Sequence, residues 1–323
     1  MKKIRRFRRT INLINAIPDI NNTAISVDVI VPEPDQLAAD PVILFCAPGG
    51  GMSGLYYDLG DDANRDFSFA QAMAARGWIV VAIDPLGGGR SSAIDDGYLL
   101  HPARLAAAHN AAITALKKEF AEGFENYPAL KNFMSVGVGH SMGGMIVSWV
   151  QAHFTPYDAV IILGSGPYGL YEHLSDDLRP LANEPQRARD EIVERLRANG
   201  TPPFAELKSN EKSRAIFRGG NATALAYLRN ARIPIFLVPG SFVMIPGSWA
   251  PEAERINVPV LLMYGDTDIC TAPHNVPAYF KNSADITVVI LPDTGHSHFV
   301  FPTIAHLTAR VGTWIGAQQR NIA

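Results

Sequence analysis

A serine, an aspartate and a histidine in this chain have the types and spacing needed to activate a nucleophile. Ser141 lies in the segment Gly-His-Ser-Met-Gly directly after an apolar run, and Asp268 and His296 follow two later apolar runs. A serine hydroxyl attacks a carbonyl at neutral pH only when a histidine takes its proton and a carboxylate holds the second nitrogen of that histidine. The three residues therefore predict nucleophilic catalysis where the ends of several strands meet.

The elements that must position these residues follow the pattern of a sheet covered on both faces. Continuously apolar runs are typical of strands with helices on both sides, and helical stretches separate such runs here. The runs are found at residues 41–47, 77–84, 133–138, 157–163, 258–264 and 286–291. We therefore predict an α/β fold with a mostly parallel central sheet flanked by helices.

The residues around Ser141 form the G-x-S-x-G pattern of a nucleophile elbow, and with it the chain resembles the α/β-hydrolase family. Three further motifs of that family have counterparts here: the D-x-x-G-x-G-x-S turn at Asp84 to Ser91, the acid motif at Gly265-x-x-Asp268, and the histidine turn at Thr294-Gly295-His296. The resemblance covers about residues 41–165 and 258–316. It implies the α/β-hydrolase fold and an enzyme that needs no cofactor and no metal.

The same resemblance implies a catalytic triad, with Ser141 as the nucleophile, His296 as the general base and Asp268 as the acid that orients the base. His296 is preferred to His298 because it directly follows a glycine after its strand. Asp268 is preferred to Asp266 because the motif puts the acid three residues after its glycine. Asp266 is then expected to be a turn or cap carboxylate.

An oxyanion hole needs two backbone N–H donors directed at the negative charge that develops on the carbonyl oxygen. Met142, which follows the nucleophile at the start of a helix, is expected to supply one of them. The second is expected from Gly50, since Pro48-Gly49 stands where the family often has His-Gly, and Gly51 is the alternative. His140 is expected to be a packing residue or a pocket contact, because adjacent side chains on this turn point apart.

Composition and charge exclude several other classes of protein. The 323 residues have a formal net charge of −3, with 47% hydrophobic and 18% charged residues, so no field attracts nucleic acid or acidic lipids. The chain lacks the run of about 18 apolar residues that would predict a membrane span. Cys46 and Cys270 lie in no metal-binding motif, and the glycine runs lack the spacing of phosphate-binding loops, so neither a metal nor a nucleotide is expected. We expect a cytoplasmic protein.

The N-terminal region differs from the rest of the chain. Residues 1–9 are strongly basic, but the apolar segment of a signal peptide does not follow, so we expect an arm that is mobile or lies on the surface. Alternation at residues 10–16 and 25–31 predicts a half-buried antiparallel pair with its turn at residues 18–22. These edge strands could pair across a homodimer, or the chain itself could cover them.

The alternation of strands and helices stops between residues 165 and 250. This segment contains a charged helix at residues 184–199, a second helix near 204–217, and an apolar run at 233–238 whose proline argues against a central strand. We expect a mainly helical cap, inserted after the strand that ends near Leu163. Residues 1–164 and 251–323 would then form the hydrolase core, and residues 165–250 the cap.

These features predict a serine hydrolase that cleaves a hydrophobic carboxylic ester or lactone through an acyl-enzyme on Ser141. The size of the insertion favours a substrate larger than acetate esters. Seven large side chains of the insertion either line an apolar pocket or form the core of the cap itself: Phe204, Phe217, Tyr227, Phe236, Phe242, Met244 and Trp249. Two alternatives stay open, a carbon–carbon bond hydrolase of a diketone-like substrate and a non-catalytic ligand-binding protein on this fold.

Overall fold

The computed structural model describes residues 3–14, 16–17, 20, 23–206, 216–270 and 272–322. Its described strands form one sheet of eight strands and a small sheet of two. In chain order the strands are β1 (Ile4–Asn12), β2 (Ala24–Pro32), β3 (Val42–Ala47), β4 (Ile79–Ile83), β5 (Met134–His140), β6 (Ala159–Leu163), β7 (Phe204–Ala205), β8 (Ile235–Phe236), β9 (Val260–Gly265) and β10 (Ile286–Leu291).

The large sheet has the strand order β1-β2-β4-β3-β5-β6-β9-β10. The six strands from β4 to β10 in this order run parallel to one another, whereas β1 and β2 are antiparallel at one edge. The predicted α/β fold with a mostly parallel central sheet is therefore confirmed. The carboxyl ends of parallel strands lie at the same side of a sheet, so the loops after β5, β9 and β10 can meet there.

Helices cover both faces of the sheet. They are α1 (Phe69–Ala74), α2 (Pro102–Glu122), α3 (Met142–Phe154), α4 (Pro185–Ala198), α5 (Ala222–Leu228), α6 (Leu237–Met244), α7 (Ala250–Arg255) and α8 (Ile304–Ile322). Alternate residues of β3 enter the two cores: Ile43 and Phe45 pack with α2 and α3, and Val42 and Leu44 pack with α1 and α8. None of the described helices combines the length and apolar character needed to cross a bilayer.

In the described part of residues 1–9, the predicted arm lies at the surface, but as an edge strand of the large sheet. Residues 4–9 belong to β1, which pairs along its full length with β2. Arginines account for the difference, because they pair with carboxylates of neighbouring elements: Arg6 with Asp58, and Arg9 with Glu119. A basic stretch with acidic partners in the fold can form an edge strand. Of the predicted turn at 18–22, residues 18, 19, 21 and 22 lie outside the described residues.

The segment between β6 and β9 contains short elements. The predicted charged helix is α4, and the apolar run at 233–238 forms a strand of two residues, β8, which pairs antiparallel with β7 and continues into α6. The second predicted helix, near 204–217, begins instead with β7, and residues 207–215 of it lie outside the described part of the chain. Cys46 and Cys270 are both free thiols.

Candidate active site

Ser141 occupies the sharp turn between β5 and α3. Its backbone has φ 51° and ψ −120°, a conformation that residues other than glycine rarely adopt. Strand and helix approach so closely here that a Cβ on Gly139 would lie 2.3 Å from the Gly143 carbonyl oxygen. A Cβ on Gly143 would lie 2.1 Å from the carbonyl oxygen of Ala47. Both glycines are therefore required for the turn, which presents the half-buried serine at the end of the sheet.

The structure brings Ser141, His296 and Asp268 together. The Nε2 atom of His296 lies 2.9 Å from the Oγ atom of Ser141, and its Nδ1 atom lies 2.7 Å from the Oδ1 atom of Asp268. An ionised carboxylate only accepts hydrogen bonds, so Nδ1 carries the proton and Nε2 is free to accept from the serine hydroxyl. The side chains of His296 and Asp268 are 6% and 0% exposed, which excludes water from this bond.

Asp268 accepts hydrogen bonds from two histidines. Besides His296, the His298 Nε2 atom donates to Oδ2 of Asp268 at 2.9 Å, and the backbone N–H of Cys270 donates to Oδ1 at 3.0 Å. Burial alone would raise the pKa of this carboxyl group, but the two histidines and their hydrogen bonds outweigh burial and hold the pKa well below its usual value. Asp268 is therefore ionised at neutral pH. The contact with His298 was not predicted from the sequence, where that residue was considered only as an alternative base.

His140 is a packing residue beside the triad. Its ring lies 4.7 Å from the Tyr56 ring and 4.9 Å from the His296 ring, centroid to centroid, and its Nε2 atom donates to the His296 carbonyl oxygen at 2.8 Å. Burial, and then the neighbouring His296 and His298, lower the pKa of His140 well below its usual value, so its ring is neutral. His140 thus fixes the main chain of the loop that carries His296.

One close backbone approach and two hydrogen bonds to a carboxylate hold the acid loop against the histidine loop. A Cβ on Gly265 would lie 1.9 Å from the Thr294 carbonyl oxygen, so the glycine allows the two loops to touch. The exposed Asp266 carboxylate accepts the backbone N–H groups of Asp293 and Thr294 at 3.0 and 3.1 Å. These bonds lower the pKa of Asp266, first the one from Thr294 and then the one from Asp293. Asp266 therefore joins the two loops and does not contact His296, in keeping with its prediction as a turn carboxylate.

The glycine loop after β3 lies next to the first turn of α3. The Met52 N–H bonds to the Gly49 carbonyl at 3.2 Å, which makes Gly50 and Gly51 the central residues of a tight turn. A Cβ on Gly50 would lie 3.8 Å from the Met142 Sδ atom, whereas one on Gly51 would face Ile235 at 3.1 Å. Among the described residues, neither the Gly50 nor the Met142 N–H has a backbone acceptor.

Asp84 holds this loop in place. Its buried carboxylate accepts the Gly54 N–H at 2.8 Å and the backbone N–H of Arg90 at 2.9 Å, and the Arg90 guanidinium bonds to it at 3.1 Å. The family-like turn at residues 84–91 is thus tied to the loop at residues 48–54. The position of the glycine loop depends on a charge that is buried and fully paired.

A narrow pocket opens beside Ser141. It has about 10 Å³ of free volume, room for about one water molecule, and its apolar lining includes Leu170, Val243 and Val276. The buried Ser165, whose hydroxyl has no described partner, and the Cys270 thiol also line it. Among the described lining residues, none is found of the seven large side chains expected either in the pocket or in the core of the cap. Three of these seven, Phe236, Phe242 and Trp249, are instead buried in the core that they share with α2 and α3.

Asp268, Cys270 and His296 also place ligand-type atoms within 4.8 Å of one another. Asp268 and His296 already bond to each other, and the Cys270 thiol donates to the Gly164 carbonyl at 2.9 Å. Burial, followed by the charge of Asp268, raises the pKa of the Cys270 thiol well above its usual value. A protonated thiol is a poor metal ligand. The set is therefore better suited to the hydrogen bonds that it makes than to a metal ion.

Comparison with known proteins supports the fold. The model of the family described as "Alpha/beta hydrolase family" matches residues 43–305. Among solved structures, a bromoperoxidase from Bacillus anthracis has a TM-score of 0.61 at 14% identity, with 96% of this chain and 100% of that chain covered. An esterase from Rhodococcus sp. ECU1013 has a TM-score of 0.57 at 16% identity, with 98% and 99% covered. A proline iminopeptidase from Mycobacterium smegmatis has a TM-score of 0.59 at 16% identity, with 98% and 100% covered. At these identities the likeness shows the fold alone, and no curated protein matches the chain.

Proposed function

The chain belongs to the alpha/beta hydrolase family, and on that premise we propose that it is a serine hydrolase of hydrophobic carboxylic esters or lactones. One observation carries the proposal. The Ser141 hydroxyl, the His296 imidazole and the Asp268 carboxylate are joined by hydrogen bonds of 2.9 and 2.7 Å at the end of the sheet. This is the arrangement in which a histidine can take the proton of a serine while its other nitrogen is held by a charge.

In the proposed reaction the Oγ atom of Ser141 bonds to the substrate carbonyl carbon while His296 Nε2 takes the hydroxyl proton. The resulting imidazolium faces the ionised Asp268, which stabilises it. As the carbon–oxygen bond of the ester breaks, His296 returns the proton to the leaving alkoxide oxygen. Water then attacks the acyl carbon while His296 takes a proton from it. The bond between that carbon and Ser141 Oγ breaks, His296 returns the proton to Oγ, and the acid is released.

Met142 and Gly50 are the proposed oxyanion donors. Met142 is the first residue of α3, where backbone N–H groups lack helical acceptors and the helix dipole favours negative charge. Gly50 faces Met142, whereas Gly51 faces Ile235 and its carbonyl accepts the Ile233 N–H at 2.9 Å. These contacts favour Gly50 over Gly51 as the second donor.

We further propose that residues 165–250 act as a cap that sets the substrate range. Leu170 and Val243 of this segment line the pocket beside Ser141, and Arg189 binds the core residue Glu252 through two hydrogen bonds of 2.8 and 2.9 Å. The small volume of the pocket supports a short acyl group on that side of Ser141. A large apolar portion of the substrate would then lie on the leaving-group side.

A fluorophosphonate probe tests the proposal, since it labels only an activated serine. We expect the wild-type protein to be labelled and to hydrolyse p-nitrophenyl acetate, and Ser141→Ala to lose the label and about 10⁴-fold or more of kcat. Ser148→Ala is a matched control, because Ser148 is buried on α3 and donates to the Gly144 carbonyl away from the triad. Labelling of Ser141→Ala at the wild-type rate would contradict the proposal.

The same screen separates the alternatives. Turnover of a vinylogous diketone, with esters left intact, would indicate a carbon–carbon bond hydrolase. Tight binding of a small ester with no labelling would indicate a ligand-binding protein on the hydrolase fold.

A further inference from the structure

Asp268 is bonded by a second histidine that the proposed reaction does not use. His298 lies two residues after His296, and its Nε2 atom is 2.9 Å from Asp268 Oδ2, while His296 Nδ1 is 2.7 Å from Oδ1. Both atoms of the His298–Asp268 bond belong to side chains that are 0% exposed. The carboxylate is therefore held at both oxygens by imidazole N–H groups of one short loop.

We propose that His298 is a positioning residue, which holds the Asp268 carboxylate in the orientation that aligns His296 with Ser141. The inference rests on the proposed serine hydrolase function. His298 itself is fully buried, so it acts on the reaction through Asp268 and does not contact substrate.

The direction of the bond follows from the chemistry of its partners. Asp268 is ionised and can only accept, so the His298 Nε2 atom carries a proton. The Nδ1 atom of His298 is buried with no described partner, so Nε2 is the ring nitrogen that fixes this side chain. His298 thus donates one described hydrogen bond, from its Nε2 atom to the charged carboxylate.

The second bond removes a freedom that Asp268 would otherwise have. The terminal torsion of an aspartate is broad, so a carboxylate that is held at one oxygen can turn about the Cβ–Cγ bond. Oδ1 already accepts from both His296 and the Cys270 N–H, and His298 is the described donor to Oδ2. With both ends held, Oδ1 stays in line with His296 Nδ1.

The titratable groups packed around Asp268 and its two histidines carry no charge at neutral pH. His140 lies 5.5 Å from the His298 ring and is neutral, because burial lowers its pKa. Burial also raises the pKa of the Tyr56 and Tyr264 hydroxyls and of the Cys270 thiol well above their usual values, so all three stay protonated at neutral pH. The ionised Asp268 carboxylate is then the charged group that both His296 and His298 bind.

Three variants test the proposal. The amide nitrogen of a glutamine reaches about as far as the Nε2 atom of a histidine, so His298→Gln keeps a donor near Oδ2. His298→Leu removes the donor, and His298→Asn keeps a polar side chain that is too short to reach Oδ2. The exposed His306, changed to Leu, serves as the surface control.

Thermal unfolding first shows that each variant is folded, and two quantities are then measured for it. The first is the separate change in kcat and in KM for p-nitrophenyl acetate. We expect kcat to fall about 10- to 100-fold in the Leu and Asn variants with KM within about twofold, and Gln to recover most of the loss. The second is the far-downfield proton resonance of the short His296–Asp268 bond, which we expect to shift or broaden in the Leu and Asn variants and to be kept in Gln.

The proposal is overturned if Gln behaves like Leu and Asn, or if Leu and Asn keep the wild-type resonance and kcat. A loss confined to KM would also overturn it, since it would mean that His298 shapes the pocket. The resonance needs no substrate, so it tests His298 even in a protein that does not hydrolyse esters. Failure of wild-type turnover would therefore count against the proposed function alone.

Discussion

The loops that carry the triad and the segment at residues 165–250 reach their conformations in different ways. In the triad loops, backbone meets backbone at glycines: Gly139, Gly143 and Gly265 each leave less than 2.4 Å for a Cβ. In the segment a comparable backbone contact occurs at Gly169, where a Cβ would lie 2.6 Å from the Pro246 nitrogen, but the short helices also carry exposed side chains, such as the Arg187–Glu191 ion pair of α4. The first arrangement permits one conformation, and the second tolerates many side chains.

This difference matches the division of labour in the proposed enzyme. Chemistry needs fixed distances among Ser141, His296 and Asp268, and rigid loops provide them. Substrate choice needs surfaces that can differ in shape, and the segment that contributes Leu170 and Val243 to the pocket is made of such surfaces. The predictions below test this contrast, from the largest expected effect to the smallest.

The largest effect is expected from a pair of glycine substitutions. Gly143→Ala would place a Cβ 2.1 Å from the Ala47 carbonyl oxygen, so we expect loss of activity and a destabilisation of about 3 kcal/mol or more. Among the described residues, a Cβ from Gly240→Ala in α6 would meet only the Ile235 Cγ2 atom, at 3.8 Å, and we expect unchanged or slightly higher stability. Urea unfolding measures both. Equal stability of the two variants would remove the contrast between the regions.

The sequence allowed the first region to be predicted because its constraints are local. A serine between two glycines, a glycine three residues before Asp268 and a glycine before His296 each indicate a specific turn, and the parallel strands could be recognised from their apolar runs. The same holds for one helix of the second region, since the charged helix predicted at 184–199 is Pro185–Ala198. Patterns of this kind depend on residues that are near one another in the chain.

Features that depend on distant partners could not be predicted. The basic residues 4–9 form a strand because Asp58 and Glu119, far along the chain, neutralise the arginines. The sequence left open whether the large side chains of the segment line the pocket or form a core; Phe242 and Trp249 are buried in the core, and smaller side chains line the pocket. The sequence offers His298 only as an alternative base, since nothing in the motif indicates which group donates a hydrogen bond to the second carboxylate oxygen of Asp268. Each case depends on tertiary contacts that no local pattern contains.

A second pair of variants tests how α4 is attached to the core. Arg189 forms two hydrogen bonds with Glu252, which is 3% exposed, and its guanidinium lies 4.9 Å from the Trp149 ring centroid. Arg189→Met leaves the buried Glu252 with His153, at 3.5 Å, as its remaining ion-pair partner among the described residues, so we expect a loss of about 2–4 kcal/mol in unfolding free energy.

The exposed Arg187 on the same helix is the control for this experiment. Its ion pairs with Glu184 and Glu191 are open to solvent, and we expect no measurable change for Arg187→Met. The double variant Arg189→Met/Glu252→Met should regain part of the stability, because neither charge is then left unpaired. If Arg189→Met matches Arg187→Met, the segment is held by contacts other than this ion pair.

The stability of the sheet-and-helix core should also depend on pH. His109 on α2 is 2% exposed, and burial lowers its pKa from 6.5 to about 4. Between these two pH values the unfolded chain binds a proton at this position and the folded chain does not, so stability falls as the pH falls through that window. At pH 5 this single residue should cost about 2 kcal/mol. His109→Leu should therefore flatten the pH dependence of the unfolding free energy between pH 6.5 and 4, and an unchanged slope in this variant would contradict the prediction.

The smallest effect concerns the pocket, where the two regions meet. Val243 of α6 narrows the space beside Ser141, so Val243→Ala should admit longer acyl chains. For p-nitrophenyl esters from acetate to hexanoate, we expect the ratio of kcat/KM for the longer chains to that for acetate to rise about tenfold. Val193 of α4 is also partly buried against the same core but is not among the pocket residues, so Val193→Ala should leave this ratio unchanged. Because the triad loops are fixed by backbone contacts, the acetate rate itself should change little in either variant. A loss of acetate turnover in Val243→Ala would mean that the segment supports the catalytic geometry as well as the fit of the substrate, and the division between the two regions would not hold.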